Sequence, residues 1–315
     1  MAGAERLTDE VASALRAEIG DREDDRPALL VLALCVVALA VVEVGLIARG
    51  HVLAGQIADA VLLLVLLNFR ARGREHSWSA REEGVEAAMR ALALVPLARV
   101  LAAGLPLGRF SEAPNELMVA LLVGFAAIRL APIVGVSVRR FAQARLDRTA
   151  AEVVAIGAML GLGAYLLGAP PLLPAGAGGG RVAVAVIAVT AAAAVEELVF
   201  RGLVQITLQR VAGRLGVVAA TGLFACTYLD AGSASLVLVF ALAGVVFARV
   251  VARTGVLGGA IAGHWALAIG AFLVWPAVLG RTHPTWLDGQ LTTTGLVLLV
   301  AAATYAAIRQ PPVES

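Results

Sequence analysis

Long apolar stretches separated by short polar segments dominate the hydrophobic pattern of this chain. About ten of them approach the length of roughly 20 residues that an α-helix needs to cross a bilayer. They lie at residues 28–48, 52–69, 87–107, 117–136, 150–169, 182–200, 216–230, 234–252, 256–275 and 291–308. The stretches are continuous and do not alternate with polar residues, which excludes the pattern of an outer-membrane barrel. The sequence therefore predicts an all-α polytopic transmembrane helix bundle.

Composition agrees with an integral membrane protein. Hydrophobic residues make up 60% of the 315 positions and charged residues only 15%, and the mean hydropathy is +0.88. A soluble domain of this size carries considerably more charge. The net charge of +2 gives no reason to expect a nucleic-acid partner. The expected environment is the lipid bilayer.

Arginine supplies all the basic residues, and its distribution predicts the orientation. It is concentrated in segments 70–81, 139–148, 201–214 and 249–253, whereas segments 108–116, 170–181 and 276–290 hold fewer arginines and more proline and glycine. Basic connections between spans lie preferentially in the cytoplasm. We therefore expect the first four segments and both termini to be cytoplasmic and the other three to face outward.

The chain is expected to have three parts. Residues 1–26 are too acidic for a signal peptide, and apolar residues recur at every fourth position from Leu7 to Ile19, which favours a cytosolic amphipathic helix. An arginine-rich segment then separates a four-span unit at 27–149 from a six-span unit at 150–315. We see no repeat between the two units, which weighs against an inverted-repeat transporter.

Charged residues inside the first four spans have two interpretations. Asp59 and Arg99 are expected at similar depth, where an ion pair between them would hold helices together. A polar permeation path, and with it a transporter function, is the alternative.

A pair of adjacent carboxylates in the sixth span is the strongest chemical signal. On a helix Glu197 and Arg201 lie four residues apart on one face, in the order that favours an ion pair. Glu196 points about 100° away from Glu197, so it must find another partner or hold a proton. Ionisable groups at membrane depth are costly and usually functional. Glu196 is therefore the candidate for chemistry.

His264 is expected to lie at matching depth on a later span. A lone buried histidine is more often a hydrogen-bonded core residue, but its depth favours a place beside Glu196. Phe224 and Tyr228 lie one turn apart and would ordinarily be core aromatics. HExxH is absent, and Glu196, Glu197 and His264 could supply at most three metal ligands, so neither a metal nor a cofactor is expected.

The order and spacing of these residues resemble the CPBP family of CAAX proteases and bacteriocin-processing proteins, which includes the type II CAAX prenyl endopeptidases. Glu196, Glu197 and Arg201 match its EExxxR motif. Phe224 to Tyr228 stand at its FxxxH motif and His264 to Ala268 at its HxxxN or HxxxD motif. Tyr228 replaces a histidine there, and Ala268 replaces an amide or an acid. The resemblance covers roughly residues 150–275 and leaves out the first four spans.

The resemblance implies an intramembrane endopeptidase of the bacterial cytoplasmic membrane, acting on a membrane protein or lipidated peptide. Glu196 would activate a water molecule as general base, and His264 would donate to the developing oxyanion. Glu197 and Arg201 would hold the helix end, and Tyr228 can donate a hydrogen bond. We expect a conical cavity open to the cytoplasm around Glu196, Tyr228 and His264.

The two departures from the family motifs leave a second interpretation open. A catalytically silent member would keep the fold and bind a membrane partner or peptide in the same cavity. A cavity plugged by Tyr228 and Trp265 would favour that interpretation. The active-site hypothesis instead requires Glu196 and His264 to lie within about 3 to 7 Å of each other, directly or through one water.

Overall fold

The computed structural model describes residues 26–47, 49–70, 80–104, 112–137, 148–169, 171–174, 176–228 and 234–279. Within these ranges the chain is helical and contains no strand, which confirms the all-α prediction. The predicted N-terminal amphipathic helix and the predicted span at 291–308 lie outside the described residues.

Ten helices follow one another in the described ranges. They are α1 (Arg26–Val41), which continues as a π-helical turn (Val42–Ile47), α2 (Val52–Asn68), α3 (Ala80–Leu92), α4 (Leu94–Gly104), α5 (Glu112–Leu130), α6 (Arg148–Leu166), α7 (Gly179–Ala212), α8 (Arg214–Cys226), α9 (Ala234–Thr254) and α10 (Gly258–Val278).

Five helical stretches are long and apolar enough to cross a membrane. They are Glu83–Gly104, Ala113–Leu130, Gly179–Ala212, Leu236–Thr254 and Gly258–Val278. Helices α1, α2, α6 and α8 are apolar but shorter. The chain is thus an integral membrane protein by its helices, but the expected count of about ten spans is not confirmed. Large apolar side chains such as Leu53 and Phe125 face outward and are more than half exposed, as lipid contact requires.

Helix α7 corrects the prediction that residues 201–214 form a connection between spans, whereas their cytoplasmic location remains a prediction. The helix continues through this segment to Ala212 and turns only at Gly213, whose φ of +58° suits a residue without a Cβ. Two of the polar residues that lowered the local hydropathy, Gln205 and Thr207, are buried and hydrogen-bonded within the bundle. Gln205 Nε2 donates to the carbonyl of Ala248 at 3.1 Å, and the Thr207 hydroxyl donates to that of Leu203 at 2.8 Å.

Proline explains the break between α3 and α4. Pro96 has no N–H, so the carbonyl of Leu92 receives no hydrogen bond from the next turn, and the helix is interrupted at Ala93. The two helices nonetheless form one continuous apolar stretch, Glu83–Gly104.

The predicted N-terminal and C-terminal units pack against each other along their length. Helix α5 packs along α7, α3 contacts the C-terminal part of α7, and α1 contacts α8. Buried apolar residues of both units, including Met89, Val123, Phe224 and Phe247, belong to one core cluster. The division at residue 149 remains a prediction about sequence organisation, since the described helices share this core.

Helices α6 and α10 make the closest approach between helices around the site. A Cβ added to Gly157 would lie 2.0 Å from the carbonyl oxygen of Gly263, and one added to Gly161 would lie 2.5 Å from that of Leu267. Two small residues four apart allow two helix backbones to approach in this way. Gly263 precedes His264, so this contact sets the position of the candidate histidine.

We expect Gly157→Ala to destabilise the protein by about 1 to 3 kcal/mol, because its methyl group overlaps the backbone of α10. The matched control is Gly222→Ala on α8, where a Cβ meets nothing within 4 Å. An added methyl group in open space should stabilise a helix by up to about 1 kcal/mol. Thermal unfolding in detergent micelles measures both, and equal stability of the two variants would contradict the close contact.

Candidate functional site

The structure brings the five predicted site residues together from three places in the chain. Glu196 and Glu197 lie near the middle of α7, directly before its π-helical turn Leu198–Val204, which contains Arg201. Tyr228 follows the end of α8, and His264 lies on α10. Single π-helical turns inside helices occur frequently at functional sites.

A buried network of Arg201, Glu197 and His264 forms the base of the site. Arg201 Nη1 lies 3.1 Å from Glu197 Oε1, which confirms the predicted ion pair. The same oxygen lies 2.9 Å from His264 Nδ1. The three residues are at most 2% exposed. Glu197 therefore holds the imidazole ring with Nδ1 toward itself and Nε2 toward the opposite side.

Aromatic rings complete the surroundings of the buried arginine. Arg201 Cζ lies 3.8 Å from the ring centroid of Phe224 and 5.9 Å from that of Phe247. The rings supply cation–π attraction in a place where the contact of Nη1 with Glu197 is an ion pair without hydrogen-bond geometry and Nη2 has no hydrogen-bond partner among the described residues. Phe224 is thus a core aromatic residue, as its spacing suggested, and its ring packs against the guanidinium group of Arg201.

Glu196, Tyr228 and His264 form a second layer above this network. The Tyr228 hydroxyl donates to Glu196 Oε2 at 2.6 Å and lies 3.4 Å from His264 Nε2. His264 Nε2 lies 3.8 Å from Glu196 Oε2, within the range expected from the sequence. The Glu196 side chain is 34% exposed, in contrast to the buried Glu197. Because Arg201 pairs with Glu197, Glu196 needs a different partner, and the Tyr228 hydroxyl is that partner.

Stacking fixes the tyrosine ring. Its centroid lies 3.6 Å from that of Phe240, and the two rings are nearly parallel at 5°. The carbonyl of the preceding residue, Thr227, accepts a hydrogen bond of 2.7 Å from Arg99 Nη2. Arg99 belongs to α4, so the N-terminal unit contacts the segment that carries Tyr228. The predicted pairing of Arg99 with Asp59 remains a prediction, and Asp59 itself is buried on α2.

A cavity of about 520 Å³ opens beside Glu196. Its described lining comprises Leu94, Val95, Ala98, Arg99, Ala102, Asn115, Glu116, Val119, Ala120, Val123, Leu172, Ala192, Val195, Glu196, Val199, Phe200, Thr227 and Tyr228. His264, expected to border this space, is 2% exposed and lies behind Glu196 and Tyr228. Sequence reasoning missed Asn115 and Glu116. The only signal for them was their polarity at the start of an apolar helix.

Trp265 does not plug the cavity. Its side chain is 39% exposed, and its Nε1 donates to the Thr190 hydroxyl at 2.9 Å, away from the lining residues. Ala268 is 6% exposed and is not among the described lining residues. The third motif therefore brings only His264 to the site.

The cavity lies toward the end of the bundle where α4 ends and α5 begins. Its lining includes exposed Ala102 near that end, and its floor includes buried Val123 and Val199. Arg210 and Arg214 lie at the opposite end, where α7 ends and α8 begins. The side of the membrane toward which this cavity opens and the cytoplasmic placement of the arginine-rich end both remain predictions.

Within the described ranges, no group of three His, Cys, Asp or Glu side chains is arranged to hold a metal ion. The expectation of a metal-free site remains a prediction. The arrangement provides one accessible carboxylate and one hydroxyl at the wall of a cavity and one buried imidazole nitrogen behind them, and these groups can transfer protons and donate hydrogen bonds.

Replacing only one member of the buried ion pair should be strongly destabilising. We expect Arg201→Met to cost about 3 to 5 kcal/mol because it leaves Glu197 as an uncompensated buried charge. Combining Arg201→Met with Glu197→Gln should recover most of that loss.

The matched control is Arg90→Met, which breaks the pair of Arg90 with Glu86 on α3 and should cost less than Arg201→Met, because about a third of the Arg90 side chain reaches solvent. Denaturation in micelles measures all three proteins. If Arg201→Met costs no more than Arg90→Met, the Arg201 pair is not the structural base of the site.

Comparison with known proteins extends the motif evidence. No curated protein and no solved structure matches this chain. Residues 178–270 match the family described as type II CAAX prenyl endopeptidase Rce1-like. This stretch contains α7, α8, α9 and most of α10, and with them the five site residues. The resemblance inferred from the three motifs is confirmed over this stretch, which is similar to the Rce1-like family and consistent with the CPBP family.

Proposed function

We propose that the protein is an intramembrane endopeptidase that hydrolyses a peptide bond with a glutamate-activated water. The observation that carries this proposal is the meeting of Glu196 Oε2, Tyr228 Oη and His264 Nε2 beside the cavity, where Glu196 and Tyr228 line the wall and buried His264 lies behind them, with Oε2 and Nε2 3.8 Å apart. The Rce1-like match supports a protease of the CAAX type. The protein would act in the bacterial cytoplasmic membrane on a membrane protein or lipidated peptide.

In the proposed reaction, Glu196 removes a proton from a water molecule held near His264 Nε2. The resulting hydroxide attacks the carbonyl carbon of the scissile bond and forms a tetrahedral oxyanion. When the C–N bond breaks, the proton held by Glu196 passes to the leaving amine. Glu196 is regenerated as a carboxylate, and the added oxygen remains in the new carboxyl group.

Tyr228 has a defined place in this sequence of steps. Its hydroxyl donates to Glu196 Oε2 before the reaction. Once Glu196 takes the proton from water, its oxygens accept less strongly, and the hydroxyl becomes free to donate to the oxyanion. Tyr228 would thus serve as an oxyanion donor where the family motif has histidine, and Ala268 contributes no donor.

His264 is held in position by Glu197. With Nδ1 bonded to Glu197 at 2.9 Å, the ring presents Nε2 toward Glu196 and Tyr228. In the proposed step, Nδ1–H donates to Glu197 and Nε2 is the ring atom that faces the oxyanion. Carboxylates commonly orient functional histidines in this way.

A catalytically silent binding protein is the second candidate, and one observation favours it. The Tyr228 hydroxyl already bonds Glu196 at 2.6 Å, so an activating water must compete for that carboxylate. A silent member would use the cavity to bind a peptide or membrane partner without cleaving it.

For the peptidase, we expect Glu196→Gln to lower kcat by about 100- to 10,000-fold through loss of the general base. Tyr228→Phe should lower kcat by about 100- to 1000-fold with little change in KM, because it removes an oxyanion donor. Tyr165→Phe, at a buried tyrosine on α6 that is not among the described lining residues, is the control. Fluorogenic peptides with apolar residues around the scissile bond, in detergent micelles, provide the assay. Retained kcat in both site variants would contradict the mechanism.

A variant that fills the cavity distinguishes the two candidate functions. Ala192 lines the cavity on α7, so Ala192→Phe should block occupants of either an enzyme or a binding protein. For the enzyme, Glu196→Gln should cause the same cellular defect as Ala192→Phe in a deletion strain. If Ala192→Phe alone causes the defect and the Glu196→Gln protein restores the native phenotype, the protein acts by binding.

A further inference from the structure

The N-terminal unit, which lies outside the Rce1-like match, builds much of the cavity beside Glu196. Of the eighteen described lining residues, ten belong to α4 and α5. The remaining residues come from α7, the end of α8 and the segment before α7. An occupant that fills this cavity and reaches Glu196 must therefore contact α4 and α5 as well.

This wall is mainly apolar and includes several small side chains. Leu94, Val95, Val119 and Val123 present branched apolar groups, whereas Ala98, Ala102 and Ala120 leave space between them. A volume of about 520 Å³ is large enough for a small-molecule ligand or a few residues of a peptide. The wall therefore suits bulky apolar side chains of an occupant.

The polar groups of the wall suit a peptide better than a lipid tail. Arg99 and Glu116 carry opposite formal charges, so together they do not require a charged occupant. Asn115 belongs to the described lining and is partly exposed, so its carboxamide adds a polar group to the wall. A carboxamide provides donors and an acceptor and can pair with a peptide group, whereas a hydrocarbon chain can satisfy neither.

We infer that an extended apolar peptide segment of the substrate binds between α4, α5 and α7. Its backbone pairs with Asn115, and an apolar side chain packs against Ala98 and Val119. This inference rests on the proposed peptidase function, to which it adds the class of substrate and the residues that select it. The first helices of the chain are thereby part of the substrate site.

Photo-crosslinking tests where the peptide lies. A benzoyl-phenylalanine is placed at Val119, which lines the cavity, or at Leu121, which lies on the same helix and is 56% exposed. The full chain carries Glu196→Gln to retain the peptide, and the probe is a short fluorescent peptide of alanine, leucine and valine in micelles. We expect cross-linking at position 119 and only background at position 121. No cross-link at 119, or equal cross-linking at both positions, overturns the inference.

Side-chain selectivity provides a second test. Ala98→Leu should favour peptides with small residues, raising the ratio of kcat/KM for an alanine peptide over a leucine peptide by about 10- to 200-fold. Ala103→Leu places the same side chain on α4 at an exposed position outside the described lining and should leave the ratio at its native value. Equal ratios in the two variants overturn the assignment of Ala98.

The results distinguish this inference from the proposed function. Cross-linking at 119 without cleavage of any peptide by the native protein contradicts the peptidase and supports the peptide site. Cleavage by the native protein without cross-linking at 119 supports the peptidase and overturns the site. A photoreactive acyl lipid that labels position 119 and is not displaced by the peptide also overturns it.

Discussion

The buried ion pair of Glu197 with Arg201 is the interaction on which the site depends. Two charges that are at most 1% exposed must compensate each other, because neither reaches water. The pair lies within one helix, and its shared oxygen also binds the imidazole of α10 at 2.9 Å. The ion pair within α7 thus also orients the His264 ring. Glu196, the second carboxylate of the pair of glutamates, lines the cavity.

Close packing supplies the precision that this arrangement needs. The glycines of α6 allow its backbone to contact that of α10 next to His264, while Phe240 stacks on Tyr228 at 3.6 Å. These contacts act on the backbone next to His264 and on the ring of Tyr228, so they restrict the two residues directly. Arg99 adds a hydrogen bond from the N-terminal unit to the carbonyl before Tyr228. The site is therefore assembled by both units, although the family match covers only residues 178–270.

The sequence predicted the helical class and the Glu197–Arg201 pair because both follow from short-range periodicity. It also predicted the approach of His264 to Glu196, through similar depth on apolar helices. It failed at Arg201–Arg214, where hydropathy indicated a connection, because buried polar groups are satisfied by partners such as the Ala248 carbonyl.

The cavity could not be predicted in the same way. Its wall depends on which faces of α4 and α5 pack against α7, and a residue such as Asn115 becomes notable only when its buried oxygen is found without a partner among the described residues. The direction in which the cavity opens depends on the same long-range packing.

The central claim is that Glu196 activates water for peptide hydrolysis. Cleavage of an apolar peptide in H₂¹⁸O, followed by mass spectrometry of both products, tests this claim most directly. The account predicts that each turnover by the native protein places ¹⁸O from the solvent in the new carboxyl group, and that Glu196→Gln forms no labelled product at a comparable rate. Equal labelled cleavage by the Glu196→Gln protein, or peptide binding by the native protein without any labelled product, would contradict it.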